Sequence, residues 1–309
     1  MPKRNFARSF VRQFSIAIAA LLAIQTIATA DPAYAADPVE RSHIRTWLSG
    51  ESGPLVVLIP GMSTPAEVWR ETVEAMEPDH RLLVVEVRGF NGERNTANEQ
   101  AGVIDGIIDD LASDLDARHL TADAMVGHSF GGALALKFAL THPDQAKQLM
   151  VIDALPFLGL EFGPEATIES VTPRAERIRT TMAAQADAMR AAGKTGVKSA
   201  PANGMSIDPA NATRITNWSM RSEPLATAQA VYELLTTDLR EQIAEIKIPV
   251  TVLYAAGEDA EKAAQKFTAS YAPLANARIV PVENSAHFIM LDRPDVFRAE
   301  LMSLLPKPE

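Results

Sequence analysis

The chain of 309 residues contains no cysteine, which excludes disulfides, thiolate metal sites and cysteine nucleophiles. After the apolar run from Ile16 to Ile24 there is no second long one, so nothing later in the chain reads as a membrane span. No paired arginines mark a twin-arginine route, and no cysteine offers a lipid anchor. None of the six histidines has metal-ligand spacing with another. Internal repeats and low-complexity tracts are also missing. Acidic residues outnumber basic ones by 39 to 29, a formal net charge of −10. Such a surface repels nucleic acid and anionic membranes, so neither is an expected partner.

What is present begins with a leader. Lys3, Arg4, Arg8 and Arg12 precede the apolar run, which is too short to cross a bilayer comfortably. Ala28-Thr29-Ala30 and Ala33-Tyr34-Ala35 follow as small-residue cleavage sites. This is the anatomy of a secretory signal peptide. Residues 1–35 are therefore expected to be removed, leaving a periplasmic or secreted protein with no stable membrane span.

Beyond the leader, apolar β-rich runs alternate with helical patterns. Leu55–Ile59, Leu82–Val87, Met125-Val126, Leu149–Ile152 and Val250–Tyr254 read as buried strands. Arg278–Val282 reads as a further strand, placed at an edge by Pro281. The segment 39–49 can supply leading antiparallel strands. Helical stretches lie near 66–76, 101–117, 131–141, 260–271 and 294–304. This rhythm predicts an α/β fold with a mostly parallel central sheet flanked by helices. The core is expected over 36–155 and 249–309. Between them, 156–248 carries no strand pattern and reads as a helical lid, with helices near 170–192, 208–219 and 223–240. Met182, Met189, Met205, Met220 and Trp218 within it are candidates for an adaptable apolar lining.

The chemistry is concentrated in Gly127-His128-Ser129-Phe130-Gly131-Gly132. A serine between glycines, after a strand and before a helix, is a nucleophile elbow. The turn tolerates no bulk at 127 or 131, and the helix N-terminus behind the serine favours negative charge. A serine hydroxyl needs a base to remove its proton. His287 is the histidine placed after the last strand and before the last helix, whereas His43, His80 and His119 precede the nucleophile. His142 reads as a helix cap, and His128 as structural because neighbours in an elbow point apart. The orienting acid is expected to be Asp153, embedded in apolar sequence where a buried carboxylate needs a partner. Asp259 is the alternative, in a polar loop with Glu258 and Glu261. Oxyanion donors are expected in the backbone N–H groups of Phe130 and Met62, the latter after Pro60-Gly61. Trp69, Phe90, Phe157 and Phe288 are candidates for an apolar substrate pocket.

With Pro60-Gly61-Met62 and Trp69, Arg88-Gly89-Phe90, the elbow and His287, the chain resembles the α/β-hydrolase superfamily over essentially all of 36–309. More narrowly it is similar to exported bacterial hydrolases sharing the segment Val151 to Gly159, and that resemblance also implies Asp153 as the acid. Two departures stand out: Pro60 replaces the usual histidine before the oxyanion glycine, and Ala256 replaces the usual glycine before a late acid. The resemblance implies a serine hydrolase acting on a small-molecule carboxylic ester or lactone through an acyl-enzyme, without a cofactor. An amidase or iminopeptidase activity is the alternative within enzymes. A dehalogenase or epoxide hydrolase is disfavoured, since such relatives carry aspartate at the position of Ser129. From another class, the alternative is an exported binding protein that kept the fold and lost turnover.

Overall fold

The computed structural model describes residues 37–191 and 204–306. The leader and both cleavage sites therefore lie outside the described residues. Eight strands form one sheet in the order β1-β2-β4-β3-β5-β6-β7-β8. These are β1 Val39–Glu40, β2 Ile44–Ser49, β3 Leu55–Ile59, β4 Arg81–Val87, β5 Ala124–His128, β6 Leu149–Ile152, β7 Val250–Ala255 and β8 Ala277–Val282. The first three neighbours in that order pair antiparallel, and every pairing from β4 through β3 to β8 is parallel.

The strand sequences explain this arrangement. Every residue of β3, β5 and β6 is buried, because a parallel sheet is covered on both faces and demands continuous apolar runs. β2 mixes buried and half-buried positions, as suits a strand near the antiparallel end of the sheet. At the other end, β8 is an edge strand in which Pro281 pairs with Tyr254. Proline cannot donate to a ladder, so an edge is where it fits.

The helices that matter for the site are α1 Arg70–Met76, α2 Val103–Arg118 and α3 Phe130–Thr141. Between β6 and β7 come α4 Ile168–Ala191, α5 Pro209–Arg221 and α6 Pro224–Thr236. After β7 come α7 Ala260–Tyr271, the short α8 Ile289–Asp292 and α9 Pro294–Leu304. The insert helices start where the sequence punctuates: Asp208 and Glu223 cap their own following amides, each with proline in the first turn. α6 ends at Thr236, short of the 240 expected, because the chain turns back to the sheet. Leu239 N–H donates to the Pro156 carbonyl at 2.9 Å, and Arg240 grips Asp238.

The chain runs from β3 outward to β4, then returns past β3 to β5. Loops after β3 and β5 therefore diverge to opposite sides and open a crevice at their carboxyl ends. Pro60 to Met62 follow β3 there, and Ser129 follows β5. α3 approaches so closely that a Cβ on Gly131 would stand 2.5 Å from the Ile59 carbonyl oxygen and 2.6 Å from that of Pro60. Neither backbone atom can swing away. Gly131→Ala is expected to lower unfolding stability by at least about 3 kcal/mol in urea denaturation. Gly257→Asn, at a left-handed position with nothing within 4 Å, serves as the mild control. Equal midpoints for the two variants would contradict this packing.

Candidate active site

Ser129 stands between β5 and α3 with φ 53° and ψ −115°. A non-glycine residue there is strained by about 1–3 kcal/mol. The strain is held by the Ser129 N–H donating to the Ile152 carbonyl at 2.8 Å, and by Gly127, where a Cβ would meet the Gly131 oxygen at 2.1 Å. Ser129 thereby occupies the N-cap of α3, and its side chain caps no amide of that helix. Among the described residues its hydroxyl bonds to no other side chain, His287 included. The backbone N–H groups of Met62 and Phe130 likewise engage no acceptor among the described residues.

Asp153 follows β6, also in the left-handed region at φ 48°. That conformation comes more easily to aspartate than to most residues. It turns the carboxylate toward the loop after β8, where Oδ2 accepts from His287 Nδ1 at 2.6 Å. Oδ1 accepts from the Ala255 N–H at 3.1 Å. Both oxygens are thus satisfied in a carboxylate whose side chain is 16 % exposed. Since the carboxylate accepts at Nδ1, neutral His287 has a bare Nε2, the tautomer a general base requires. The Tyr271 hydroxyl donates to the Ala154 carbonyl at 2.9 Å. Burial first, and then the charge of Asp153, hold that phenol far above its usual range.

Asp259 does not meet His287. It caps α7, accepting from the Lys262 N–H at 3.1 Å. The structure thus brings together His287 and Asp153, and leaves Asp259 among the residues that line the same cavity.

That cavity, of about 460 Å³, is bordered by Ser129, Asp153 and His287. Its apolar wall comes from Leu155 and Leu158, from Leu234 of α6 and from Phe267 of α7. The four aromatic residues expected on it are elsewhere. Trp69 is fully buried 6.0 Å from the Phe297 ring, and Phe90 lies 6.0 Å from Phe130. Phe157 is buried with Val171 and Ala175 of the insert. Phe288 packs 4.5 Å from the His128 ring. Each has spent its apolar surface inside the core, where aromatic residues gain most from burial. The insert residues also differ from expectation: Trp218 is buried with Nε1 donating to Glu67 at 3.1 Å, while Met205 and Met220 are exposed. The sequence does not mark Phe267 as a lining residue, because its helical pattern assigns it to packing on β7, which it also does by stacking on Tyr254.

His128 has no contact with solvent, and burial pushes its imidazole well below the usual histidine range, with His287 adding to the effect. No group of three or more His, Cys, Asp or Glu side chains among the described residues could hold a metal ion. Among them, no helix is long and apolar enough to cross a membrane.

Residues 56–300 match the model of the alpha/beta hydrolase family. The chain belongs to that family. It is 24% identical over 212 residues to the pimeloyl-[acyl-carrier protein] methyl ester esterase of Aliivibrio salmonicida, covering 67% of this chain and 76% of that one. Over 106 residues it is 26% identical to epoxide hydrolase 4 of Mus musculus, covering 34% and 30% of the two chains. The enol-lactonase of Burkholderia xenovorans LB400 superposes with a TM-score of 0.64 at 20% identity, over 84% of this chain and 95% of that one. For this α/β hydrolase, that last likeness establishes the fold alone.

The depressed His128 pKa has a consequence for stability. Its folded value lies below the unfolded one, so below about pH 6.5 the unfolded chain binds the extra proton and the folded one does not. Stability is therefore expected to fall as pH drops from 7 to 5.5, by up to about 1.4 kcal/mol per pH unit from this group. Denaturant melts at several pH values check it: the slope should be shallower in His128→Gln, and an identical slope would contradict the assignment.

Proposed function

We propose that this hydrolase is an exported serine enzyme that cleaves a carboxylic ester or lactone through an acyl-enzyme. The observation that carries the reading is His287 held at 2.6 Å by Asp153 on the cavity that Ser129 also borders. The ester chemistry of the methyl ester esterase relative supports the substrate class.

In this mechanism Asp153 keeps the proton on His287 Nδ1, and His287 Nε2 accepts the proton of Ser129 Oγ. The serine oxygen attacks the carbonyl carbon, and the oxyanion is received by the N–H groups of Phe130 and Met62. Both donors are free for that role, and the N-terminus of α3 adds its positive end. Collapse expels the alcohol, which takes the proton from His287. Water then attacks the acyl-enzyme with the same base, releasing acid and restoring Ser129. The Ser129–His287 hydrogen bond closes in the substrate complex, as catalytic hydrogen bonds that are long in unliganded enzymes do. The apolar wall of Leu155, Leu158, Leu234 and Phe267 suits a neutral, partly apolar substrate. The leader supports export: N-terminal sequencing of the exported protein should begin after Ala30 or Ala35, and a start at Met1 would end that part of the proposal.

A fluorophosphonate probe is expected to label wild-type protein at Ser129 and to leave Ser129→Ala unlabelled. A blank wild type at high probe concentration would favour a binding protein instead. With a nitrophenyl ester found by panel screening, Asp153→Asn should reduce kcat by about 10⁴, as loss of an orienting carboxylate does. Asp259→Asn should cost less than about tenfold, and the opposite ranking would reassign the acid.

A further inference from the structure

His128 is used by no step above, yet it is the best-buried ionisable group at the site. Its Nε2 lies 3.0 Å from the carbonyl oxygen of His287. That oxygen can only accept, so Nε2 carries the proton, and the ring, which burial keeps neutral, leaves Nδ1 bare. Among the described residues Nδ1 has no partner. The two imidazole rings stand 4.6 Å apart between centroids, and the Phe288 ring closes the other contact at 4.5 Å. A Cβ on Gly61 would reach within 2.7 Å of His128 Nδ1, so the oxyanion loop leaves the ring no room to move. The titratable groups facing His128 are His287 in ring contact and, beyond it, Asp153.

Three consecutive residues around the base are each gripped from a different direction. Ala286 N–H donates to Asp292 Oδ2 at 2.8 Å, His287 C=O accepts from His128, and Phe288 N–H donates to the Met205 carbonyl at 3.0 Å. The His128 contact is the one that comes from the nucleophile's own turn. We infer that His128 is a positioning residue for the base: its Nε2–H on the His287 carbonyl ties the imidazole to the elbow that carries Ser129. The inference rests on the serine-hydrolase reading. It gives that reading a direct link between nucleophile and base through one buried donor, so that a shift in either is carried to the other.

The test compares wild type with His128→Phe, which keeps a ring and removes the donor, and His128→Gln, which returns an amide N–H close to the place of Nε2. The readouts are the fluorophosphonate labelling rate, kcat and KM for a nitrophenyl ester, and the thermal midpoint. His128→Phe should slow labelling and kcat by about 10- to 100-fold, the scale of an ångström of misplacement, with KM within about twofold. His128→Gln should recover most of that loss. Two results would overturn the inference: a His128→Phe protein that labels at the wild-type rate, or a His128→Gln protein as slow as it while melting like wild type. A wild type that does not label at all would remove the serine-hydrolase reading and this inference with it.

Discussion

The bend between β5 and α3 exists because three positions around it lack a side chain. A Cβ at Gly127 would stand 2.1 Å from the Gly131 oxygen, one at Gly131 2.5 Å from the Ile59 oxygen, and one at Gly132 2.7 Å from Ala154 Cβ. With those contacts open, α3 lies directly on β3, β5 and β6, and the single residue between strand and helix takes a strained positive φ with ψ −115°. The strain falls on Ser129 because the packing on either side of it cannot relax. The same closeness puts the first turn of α3 directly behind Ser129, which borders the cavity.

Asp153 repeats this solution one strand further along. Both it and Ser129 follow the last paired residue of a parallel strand, and both have φ near 50°. A left-handed residue at that point turns the chain off the sheet within one step, so its side chain projects at the carboxyl edge instead of alternating into a face. Adjacent strands β5 and β6 thus deliver Ser129 and Asp153 side by side, and the loop after β8 reaches across β7 to place His287 on that carboxylate. A carboxylate with this little exposure is stabilised by hydrogen-bond partners. Its two oxygens accept from the His287 ring and the Ala255 amide, the latter belonging to β7, which lies between β6 and β8 in the sheet.

Most of this framework was legible in the chain. The strands stand out because parallel sheets require unbroken apolar runs, and the insert because it carries helical patterns and no strand pattern. Asp153 could be favoured over Asp259 from its setting alone, since a carboxylate amid Met150-Val151-Ile152 and Ala154-Leu155 has to be paired, whereas Asp259 in a polar loop does not. The aromatic lining was not legible. A phenyl or indole ring is stabilised wherever it is buried, and sequence proximity to a motif does not say whether a ring faces a cavity or the core. Trp69 and Phe90 lie close to the site in sequence order and still pack inward. The grip on the His287 loop was also hidden, because Met205 contributes through its carbonyl, a group every residue has.

The insert is joined to the sheet domain by hydrogen bonds at several places. Glu233 of α6 accepts from the first amides of α2, with Gly102 at 2.7 Å and Ile104 at 2.9 Å. Glu223 N–H donates to Gly89 O at 2.7 Å, and Asp292 receives the Ile207 N–H at 3.1 Å. A carboxylate at a helix N-terminus meets both unpaired donors and the positive end of the helix, so the Glu233 contact is stronger than an exposed ion pair. α6 is therefore fixed relative to α2, and Leu234, the next residue, is fixed on the cavity wall. Leu158 and Leu234 of the insert share the apolar wall with Leu155 and Phe267 of the sheet domain, while Ser129, Asp153 and His287 come wholly from strand ends and loops of the sheet. Substituting Leu158 or Leu234 should thus reshape what the cavity admits and leave the 2.6 Å contact between His287 and Asp153 untouched.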